Sequence, residues 1–237
     1  MPTSGASQAP VLAWGYWLTR ENIIESLIAM KQYQDYYFRK AKAENYPARS
    51  IYKLRELDSK FGLLAKGIRA LDLGASPGSW TLGCAEKIGP GGRVLACDLK
   101  PCAVNFPEHV VFMQADIFNP IPEFAQALAE LGPFDLVLSD MAPATTGSAF
   151  TDQARSYNLA NAAFELACRH LAQGGKFAVK IFMGPDAQTL QADMRKVFGK
   201  VKAHKPKSSR SESRETFFVG LEFRGLPAGP EAADSGF

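Results

Sequence analysis

The central part of the chain alternates short apolar runs with longer segments of helical periodicity. This alternation is typical of parallel strands joined by crossover helices, and runs as apolar as these predict strands buried on both faces. We expect strands at Ile68–Leu73, Arg93–Asp98, Val110–Gln114, Phe134–Ser139 and Lys176–Ile181. We expect helices at Ser79–Ile88, Ile121–Leu131, Asp152–Leu171 and Asp186–Phe198. The pattern therefore predicts a doubly wound α/β sheet.

The segments on either side of this core extend the prediction. Val201–His204 and Thr216–Phe223 are separated by a polar basic loop. This arrangement favours a C-terminal antiparallel β-hairpin over another crossover and gives a mostly parallel sheet of seven strands. The pair Gly174–Gly175 predicts a turn before the fifth strand. Upstream, the apolar periodicity of Ser50–Phe61 predicts a helix whose first turn is capped by Ser50.

Length and composition bound the domain organisation. A chain of 237 residues, 46% of them hydrophobic, is sufficient for one folded domain with a terminal extension. We expect residues 1–45 to be an N-terminal extension with a helical segment at Thr19–Met30. We expect the folded domain to span residues 46–223 and residues 224–237 to be a disordered tail, because this tail is rich in Gly, Pro, Ala and Ser.

Several classes of protein are disfavoured by what the sequence lacks. No stretch approaches the roughly 18 apolar residues of a membrane-spanning helix, and Val11–Leu18 lacks the preceding positive charge of a secretory signal. The four cysteines show neither C-x-x-C spacing nor the density of a disulfide scaffold, and the three histidines are scattered. We therefore expect a cytosolic protein with reduced, buried cysteines, no metal site and no membrane contact.

The positive charge of the chain is concentrated in two segments. Residues 30–69 contain ten basic and four acidic residues, and residues 200–214 contain six basic residues and one acidic residue, although the net charge is only +3. Basic segments bind polyanions because neutralised phosphates release their counterions. An RNA-binding role and a pair of solvated surface faces are both open from charge alone.

A glycine-containing loop follows the first strand directly and predicts a cofactor site. The loop runs from Asp72 to Trp80 and has only Gly74 and Gly78, which argues against the G-x-G-x-x-G of a nicotinamide-binding enzyme. Asp72 at its entrance suits a cationic ligand, such as the methionine end of S-adenosylmethionine.

Two further carboxylates follow the next strands and extend the predicted cofactor site. We expect Asp98 to bind the ribose hydroxyls of the cofactor and Asp116 to meet its adenine amino group. For each aspartate alone, the capping of a turn is the alternative.

Lys180 lies near the end of an apolar strand, where a lysine must be paired or functional. Asp140 ends the neighbouring strand, so the two side chains should meet at the cofactor edge of the sheet. A structural ion pair and a catalytic pair are both open from these two residues.

Five segments in order resemble the motifs of the FtsJ/RrmJ family of ribose 2′-O-methyltransferases. They are Ala48–Leu54, Asp72–Trp80, Ser139–Pro143, Val179–Phe182 and Ser208–Glu215, and the resemblance covers roughly residues 33–223. It implies a class I, Rossmann-like methyltransferase that uses S-adenosylmethionine as methyl donor.

The resemblance also assigns roles to individual residues. It implies a catalytic tetrad of Lys53, Asp140, Lys180 and Glu215, in which Lys180 takes or shares the proton of the ribose hydroxyl. The residues that it implies in contact with S-adenosylmethionine are Gly78, Trp80, Asp98, Asp116 and Asp140.

The substrate that the resemblance favours is a uridine of large-subunit ribosomal RNA, methylated by a monomer. Lys40, Arg49, Lys207 and Arg210 would grip the RNA backbone. Transfer RNA or an mRNA cap is the nearest competing substrate, and a non-catalytic RNA-binding or ribosome-assembly factor is the alternative of a different class. The family often has Asn where this chain has Ala144 and Gln where it has Met183, so the identity of the target nucleotide stays open.

Overall fold

A computed structural model describes residues 36–102, 104–209 and 213–226 of the chain. Seven strands form one sheet, and they are β1 (Arg69–Leu73), β2 (Arg93–Asp98), β3 (Val110–Gln114), β4 (Phe134–Ser139), β5 (Leu171–Phe182), β6 (Phe198–His204) and β7 (Glu215–Phe223). The helices that connect them are α1 (Ile51–Phe61), α2 (Ser79–Ile88), α3 (Pro122–Leu131), α4 (Ala149–His170) and α5 (Pro185–Val197). Residues 36–43 are also helical.

The strand order is β3-β2-β1-β4-β5-β7-β6. Neighbouring strands from β3 to β5 pair in parallel, whereas β7 is antiparallel to both β5 and β6. The predicted doubly wound α/β fold with a C-terminal antiparallel hairpin is therefore confirmed.

Each face of the sheet is covered by its own hydrophobic cluster. On one face, Phe177 of β5 packs with apolar residues of α3, α4 and α5. On the other face, Ala178 packs with residues of α1 and α2 and with Phe217 of β7. Because side chains alternate along a strand, Lys180 lies on the same face as Ala178, under α1.

Strand β5 begins at Leu171 rather than at the predicted Lys176, because Gly174 and Gly175 lie inside the strand instead of in a turn before it. Phe134 pairs with Leu171 and Leu136 with Lys176, so the extra residues of β5 are accommodated by a shift in register. Gly174 has a φ angle of 78°, in the left-handed region that favours glycine. The predicted turn is therefore wrong, and the glycines form an irregularity inside a continuous strand.

The predicted side-chain cap of α1 is also wrong. Ser50 has helical backbone angles, and its side chain makes no capping hydrogen bond. Its carbonyl oxygen instead accepts a hydrogen bond of 2.8 Å from the indole nitrogen of Trp80. The Trp80 ring stacks on Phe217, with ring centroids 5.6 Å apart. The indole therefore ties the start of α1 to α2 and to the sheet.

Several other expectations meet the structure only in part. The N-terminal helical segment at Thr19–Met30 lies outside the described residues, as does the tail beyond residue 226. Cys84 and Cys97 are buried as expected, whereas Cys102 and Cys168 are half-buried, and all four are free. In the described ranges, no helix is long and apolar enough to cross a membrane. The same ranges hold no group of three or more His, Cys, Asp or Glu side chains arranged to bind a metal.

Asp72 on β1 is a carboxylate with no access to solvent. The hydroxyl of Thr81 on α2 donates to Asp72 Oδ2 at 2.7 Å, and Asp72 Oδ1 has no hydrogen-bond partner in the part of the chain that is described. Burial raises the pKa of Asp72 to about 7, and the negative charges of Asp140 and Asp98 add to this rise against the hydrogen bond from Thr81. A carboxyl group of this kind couples stability to pH.

Replacing Asp72 with Asn should therefore change how stability depends on pH. The Asp72 carboxyl has an ordinary pKa of 3.8, which describes the unfolded chain, against about 7 in the folded protein. As pH rises between these values, the unfolded state releases its proton first. The native protein should then lose up to about 1.4 kcal/mol of unfolding free energy per pH unit, a component absent from D72N. Denaturant unfolding of both proteins across this range measures the difference, and parallel curves would contradict it.

Candidate active site

Four elements bring the predicted tetrad to the carboxyl edge of the parallel strands. Asp140 directly follows β4, Lys180 lies near the end of β5, Glu215 is the first residue of β7, and Lys53 lies on α1. Because β5 and β7 are antiparallel, the end of one strand meets the start of the other. The fold therefore collects side chains that are far apart in the sequence.

The four side chains form two ion pairs with little access to water. Lys180 Nζ lies 2.8 Å from Asp140 Oδ1 and also donates to the backbone oxygen of Asp140. Lys53 Nζ lies 2.6 Å from Glu215 Oε1. Lys180 and Glu215 are only 7% and 8% exposed. Each amine is thus compensated by one carboxylate.

The sheet register places the two ion pairs side by side. Lys180 pairs with Phe217, and Glu215 pairs with Phe182, so Lys180 and Glu215 are diagonal neighbours on one face of the sheet. Diagonal neighbours of an antiparallel pair have their Cβ atoms about 7 Å apart, within reach of long side chains. The structure therefore brings all four predicted tetrad residues together.

Glu56 on α1 holds the loop that leads into β7. Both of its carboxylate oxygens accept hydrogen bonds from the backbone nitrogen of Lys207, at 3.1 and 2.9 Å. Glu56 Oε1 also lies 2.8 Å from His204 Nε2 at the end of β6. Sequence analysis missed this contact, which fixes the loop between β6 and β7 against the helix that carries Lys53.

A cavity of about 450 Å³ opens at the same edge of the sheet, between the loops that follow β1, β2, β3 and β4. Its lining includes Gly74, Asp98, Asp116 and Asp140 from the predicted cofactor residues. Exposed Leu99 and Phe118 add apolar surface to the lining. A cavity with carboxylates and apolar walls suits a ligand that is partly cationic and partly aromatic.

The carboxylates of the cavity are held by neighbouring backbone groups. Asp98 accepts hydrogen bonds from the backbone nitrogens of Ser76 at 3.0 Å and Lys100 at 2.8 Å. Asp116 accepts one from the backbone nitrogen of Phe118 at 2.9 Å. A carboxylate has about four acceptor positions, so these contacts orient both groups and leave capacity for a ligand.

Gly74 lets the first loop pass close to the loop after β4. Its φ angle is 84°, and a Cβ atom on it would lie 2.6 Å from Met141 Cγ. Gly78 has a φ angle of 114°, and a Cβ atom there would meet Val104 at 2.6 Å. Only glycine fits both positions without displacing these neighbours.

Three of the predicted cofactor residues do not line this cavity. Asp72 is buried under α2, Trp80 packs into the cluster around Phe217, and Gly78 faces Val104. The side chains of Asp72 and Trp80 therefore pack in the protein interior and stabilise the loop after β1 without lining the cavity. Their burial could have been suspected from the alternation of faces along β1 and the apolar periodicity of α2.

A second cavity of about 330 Å³ lies next to the tetrad. Its lining contains Asp152 and Gln153 of α4, Phe182 at the end of β5, and Arg214 directly before Glu215. The Asp152 carboxylate accepts hydrogen bonds from the backbone nitrogen and the hydroxyl of Thr146, which lower its pKa and fold the loop after Asp140. Sequence analysis missed Asp152, although its position just inside a helix start was the available signal.

The predicted RNA-binding residues lie near α1 and the loop after β6. Lys40 contacts the ring of Tyr52, with its Nζ 5.2 Å from the centroid, and lies 4.0 Å from Glu44. Arg49 lies two residues before the start of α1, and Lys207 is exposed on the loop that Glu56 holds. Arg210 lies outside the described residues.

Comparisons with known proteins agree with this geometry. Residues 46–223 match the model of the FtsJ-like methyltransferase family. The chain is 62% identical over 198 residues to ribosomal RNA large subunit methyltransferase E of Oleidesulfovibrio alaskensis, covering 84% of this chain and 96% of that protein. It is 58% identical over 197 residues to the protein of the same name from Nitratidesulfovibrio vulgaris, covering 83% of this chain and 97% of that protein.

A solved structure supports the same conclusion. A ribosomal RNA methyltransferase from Plasmodium falciparum superposes with a TM-score of 0.66 and 28% identity, covering 76% of this chain and 100% of that chain. The resemblance predicted from five sequence motifs is confirmed, as is the assignment to methyltransferase enzymes. The chain belongs to the FtsJ-like methyltransferase family.

Proposed function

We propose that this chain transfers a methyl group from S-adenosylmethionine to the 2′-hydroxyl of a uridine in large-subunit ribosomal RNA, acting in the cytoplasm as a monomer. The observation that carries the proposal is the pair of adjacent ion pairs, Lys180 with Asp140 and Lys53 with Glu215, beside a carboxylate-lined cavity. The named relatives support ribosomal RNA as the substrate.

The larger cavity fits S-adenosylmethionine in its chemistry. Asp98 would accept hydrogen bonds from the ribose hydroxyls, Asp116 would accept one from the adenine amino group, and Asp140 would face the cationic end. Exposed Leu99 and Phe118 would supply apolar contacts for the adenine ring. When bound, the cofactor supplies an electrophilic methyl group on a positively charged sulfur.

The tetrad would activate and position the acceptor hydroxyl. Lys180 Nζ would accept the proton of the ribose hydroxyl as its oxygen takes the methyl group, and it can do so only as a neutral amine, after its own ammonium proton has passed to solvent. Asp140 holds that nitrogen in place through two contacts, and Lys53 with Glu215 borders it on the β7 side. Orientation of the hydroxyl by these fixed groups can supply as much acceleration as the proton transfer itself.

The second cavity is the proposed acceptor site. Its lining residues Phe182 and Arg214 come from the ends of β5 and β7 that carry Lys180 and Glu215. Lys40, Arg49, Lys207 and Arg210 would hold the RNA backbone around it, in keeping with recognition of RNA by shape and phosphate contacts.

Replacing Lys180 with Ala should lower methyl transfer by about 100- to 10,000-fold, because the proton acceptor is lost. Cofactor affinity should change little, since Lys180 does not line the larger cavity. K176A is the matched control: Lys176 lies on the same strand and donates to the backbone oxygen of Gly62, at the other end of β5. Labelled-methyl transfer and calorimetry measure the two effects. Loss of cofactor binding in K180A would count against the assignment.

Replacing Asp98 with Ala should weaken S-adenosylmethionine binding by about 10- to 100-fold, the range expected for lost hydrogen bonds to a charged group. The same change frees the backbone nitrogens of Ser76 and Lys100, so part of the effect comes from a looser loop. Calorimetric titration of D98A and the native protein measures the difference. Unchanged affinity would show that the cofactor binds elsewhere.

Deletion of the gene should remove one 2′-O-methyl group from large-subunit ribosomal RNA. Mapping of modified nucleotides in ribosomal, transfer and messenger RNA from the deletion strain identifies the target. Labelled-methyl transfer to large subunits from that strain then tests the purified protein directly. If every ribosomal position keeps its methyl group, the proposed substrate is wrong, and a loss in transfer RNA or at an mRNA cap would name its replacement.

A further inference from the structure

Two large exposed apolar side chains lie next in sequence to residues that line the second cavity. Phe150 is 77% exposed and Met183 is 43% exposed. Phe150 directly follows Ala149, and Met183 directly follows Phe182; Ala149 and Phe182 both line the cavity. The backbone at each exposed side chain is therefore one residue away from the lining of the proposed acceptor site, on α4 and after the end of β5.

The backbone that carries Phe150 is well fixed. Phe150 lies in the first turn of α4, a helix of 22 residues. Ser148 Oγ accepts a hydrogen bond of 3.5 Å from the backbone nitrogen of Thr151, and Asp152 holds the preceding loop through Thr146. The ring is thus presented to solvent by a capped helix, a preorganised arrangement that lowers the entropy cost of binding.

Met183 is joined to the same helix. Its carbonyl oxygen accepts a hydrogen bond of 2.6 Å from Gln153 Nε2, and its backbone nitrogen donates to the carbonyl oxygen of Arg214 at 3.0 Å. Gln153 is three residues after Phe150, so the two are neighbours on the surface of α4. Phe150 and Met183 therefore belong to two hydrogen-bonded segments that both contribute residues to the lining of one cavity.

This combination of groups suits an unpaired nucleobase. RNA-binding proteins stack unpaired bases on aromatic side chains and neutralise the adjoining phosphates with basic groups. Here Arg214 lines the same cavity as Ala149, the residue directly before the exposed aromatic ring. A protein partner of ordinary interface size needs a larger continuous apolar surface than two side chains provide.

We propose that Phe150 stacks on an unpaired base of the substrate RNA next to the target nucleotide, and that Met183 contacts the same base. The inference rests on the proposed function, because it takes the second cavity as the acceptor site. Phe150 then acts as a substrate-positioning residue that makes the enzyme favour single-stranded segments over duplex RNA.

The test compares the affinity of the full-length protein for two labelled RNAs at one fixed salt concentration, by fluorescence anisotropy. One is a hairpin with an unpaired uridine-containing loop, and the other is a fully paired duplex of equal length. F150A should bind the hairpin about 5- to 150-fold more weakly than the native protein and the duplex equally well. F150W should bind the hairpin as the native protein does, because it keeps an aromatic face.

L226A is the matched control for the loss of an exposed apolar side chain. Leu226 is 62% exposed. Two residues earlier, the backbone oxygen of Arg224 accepts a hydrogen bond from Gln173 near the start of β5, at the end of this strand that is far from Phe182. L226A should bind both RNAs normally. Calorimetry with S-adenosylmethionine should give equal affinities for all variants, which shows that F150A is folded.

The outcomes separate this inference from the proposed function. If F150A binds the hairpin like the native protein, or loses duplex affinity to the same extent, the stacking role is wrong. If F150A instead changes the sedimentation of the protein alone, the ring belongs to a contact between copies, and the inference is again overturned. Methyl transfer to hypomethylated large subunits tests the proposed function separately, and its failure leaves the hairpin comparison decisive for Phe150.

Discussion

Two lysine amines at the edge of the sheet have little access to water, and each depends on a carboxylate from another element. Moving an ammonium group out of water costs several kcal/mol unless an opposite charge lies close by. Asp140 and Glu215 provide that charge at 2.8 and 2.6 Å. The pairing is possible only when α1, β4, β5 and β7 are correctly aligned, so the whole fold contributes to the geometry of these four groups.

Asp140 connects the two halves of the proposed reaction. Asp140 lines the larger cavity, and both its side chain and its backbone oxygen accept hydrogen bonds from Lys180 Nζ. The second cavity is lined by Phe182 and Arg214, which lie close in sequence to Lys180 and Glu215. A donor in the first cavity and an acceptor in the second would both lie close to this fixed ion pair and would need little further motion to meet.

The positions of the strands could be predicted largely from the sequence, because strands buried on both faces, such as β1 and β4, appear as continuous apolar runs. Strand β3 was predicted to be buried in the same way, but it lies at the edge of the sheet and is only partly buried. Lys180 could be singled out for the same reason, as a charge in an otherwise apolar strand. The predicted turn at Gly174–Gly175 failed because a glycine pair is equally compatible with a bulge inside a strand, and local sequence does not reveal whether pairing continues.

The directions of the side chains in the site were harder to predict from the sequence than the positions of the strands. Asp72 and Trp80 belong to the segment that approaches the larger cavity, yet neither side chain faces it. Asp72 accepts a hydrogen bond from Thr81 on α2, and the indole of Trp80 donates one to the carbonyl oxygen of Ser50. The contact of Glu56 with Lys207 joins residues 151 positions apart, which no local pattern reports. The exposure of Phe150 depends on how the preceding loop folds back on Asp152, a tertiary effect that a helical pattern cannot contain.

The position of β7 has a consequence for biosynthesis. This strand, the last in the part of the chain that the structure describes, lies between β5 and β6 and carries Glu215 to the site. A nascent chain that has emerged only as far as β6 exposes one unpaired side of β5, which is prone to pair with other chains. Such a chain also lacks the carboxylate partner of Lys53. The second ion pair and the protection of β5 from aggregation therefore arrive together, when β7 emerges.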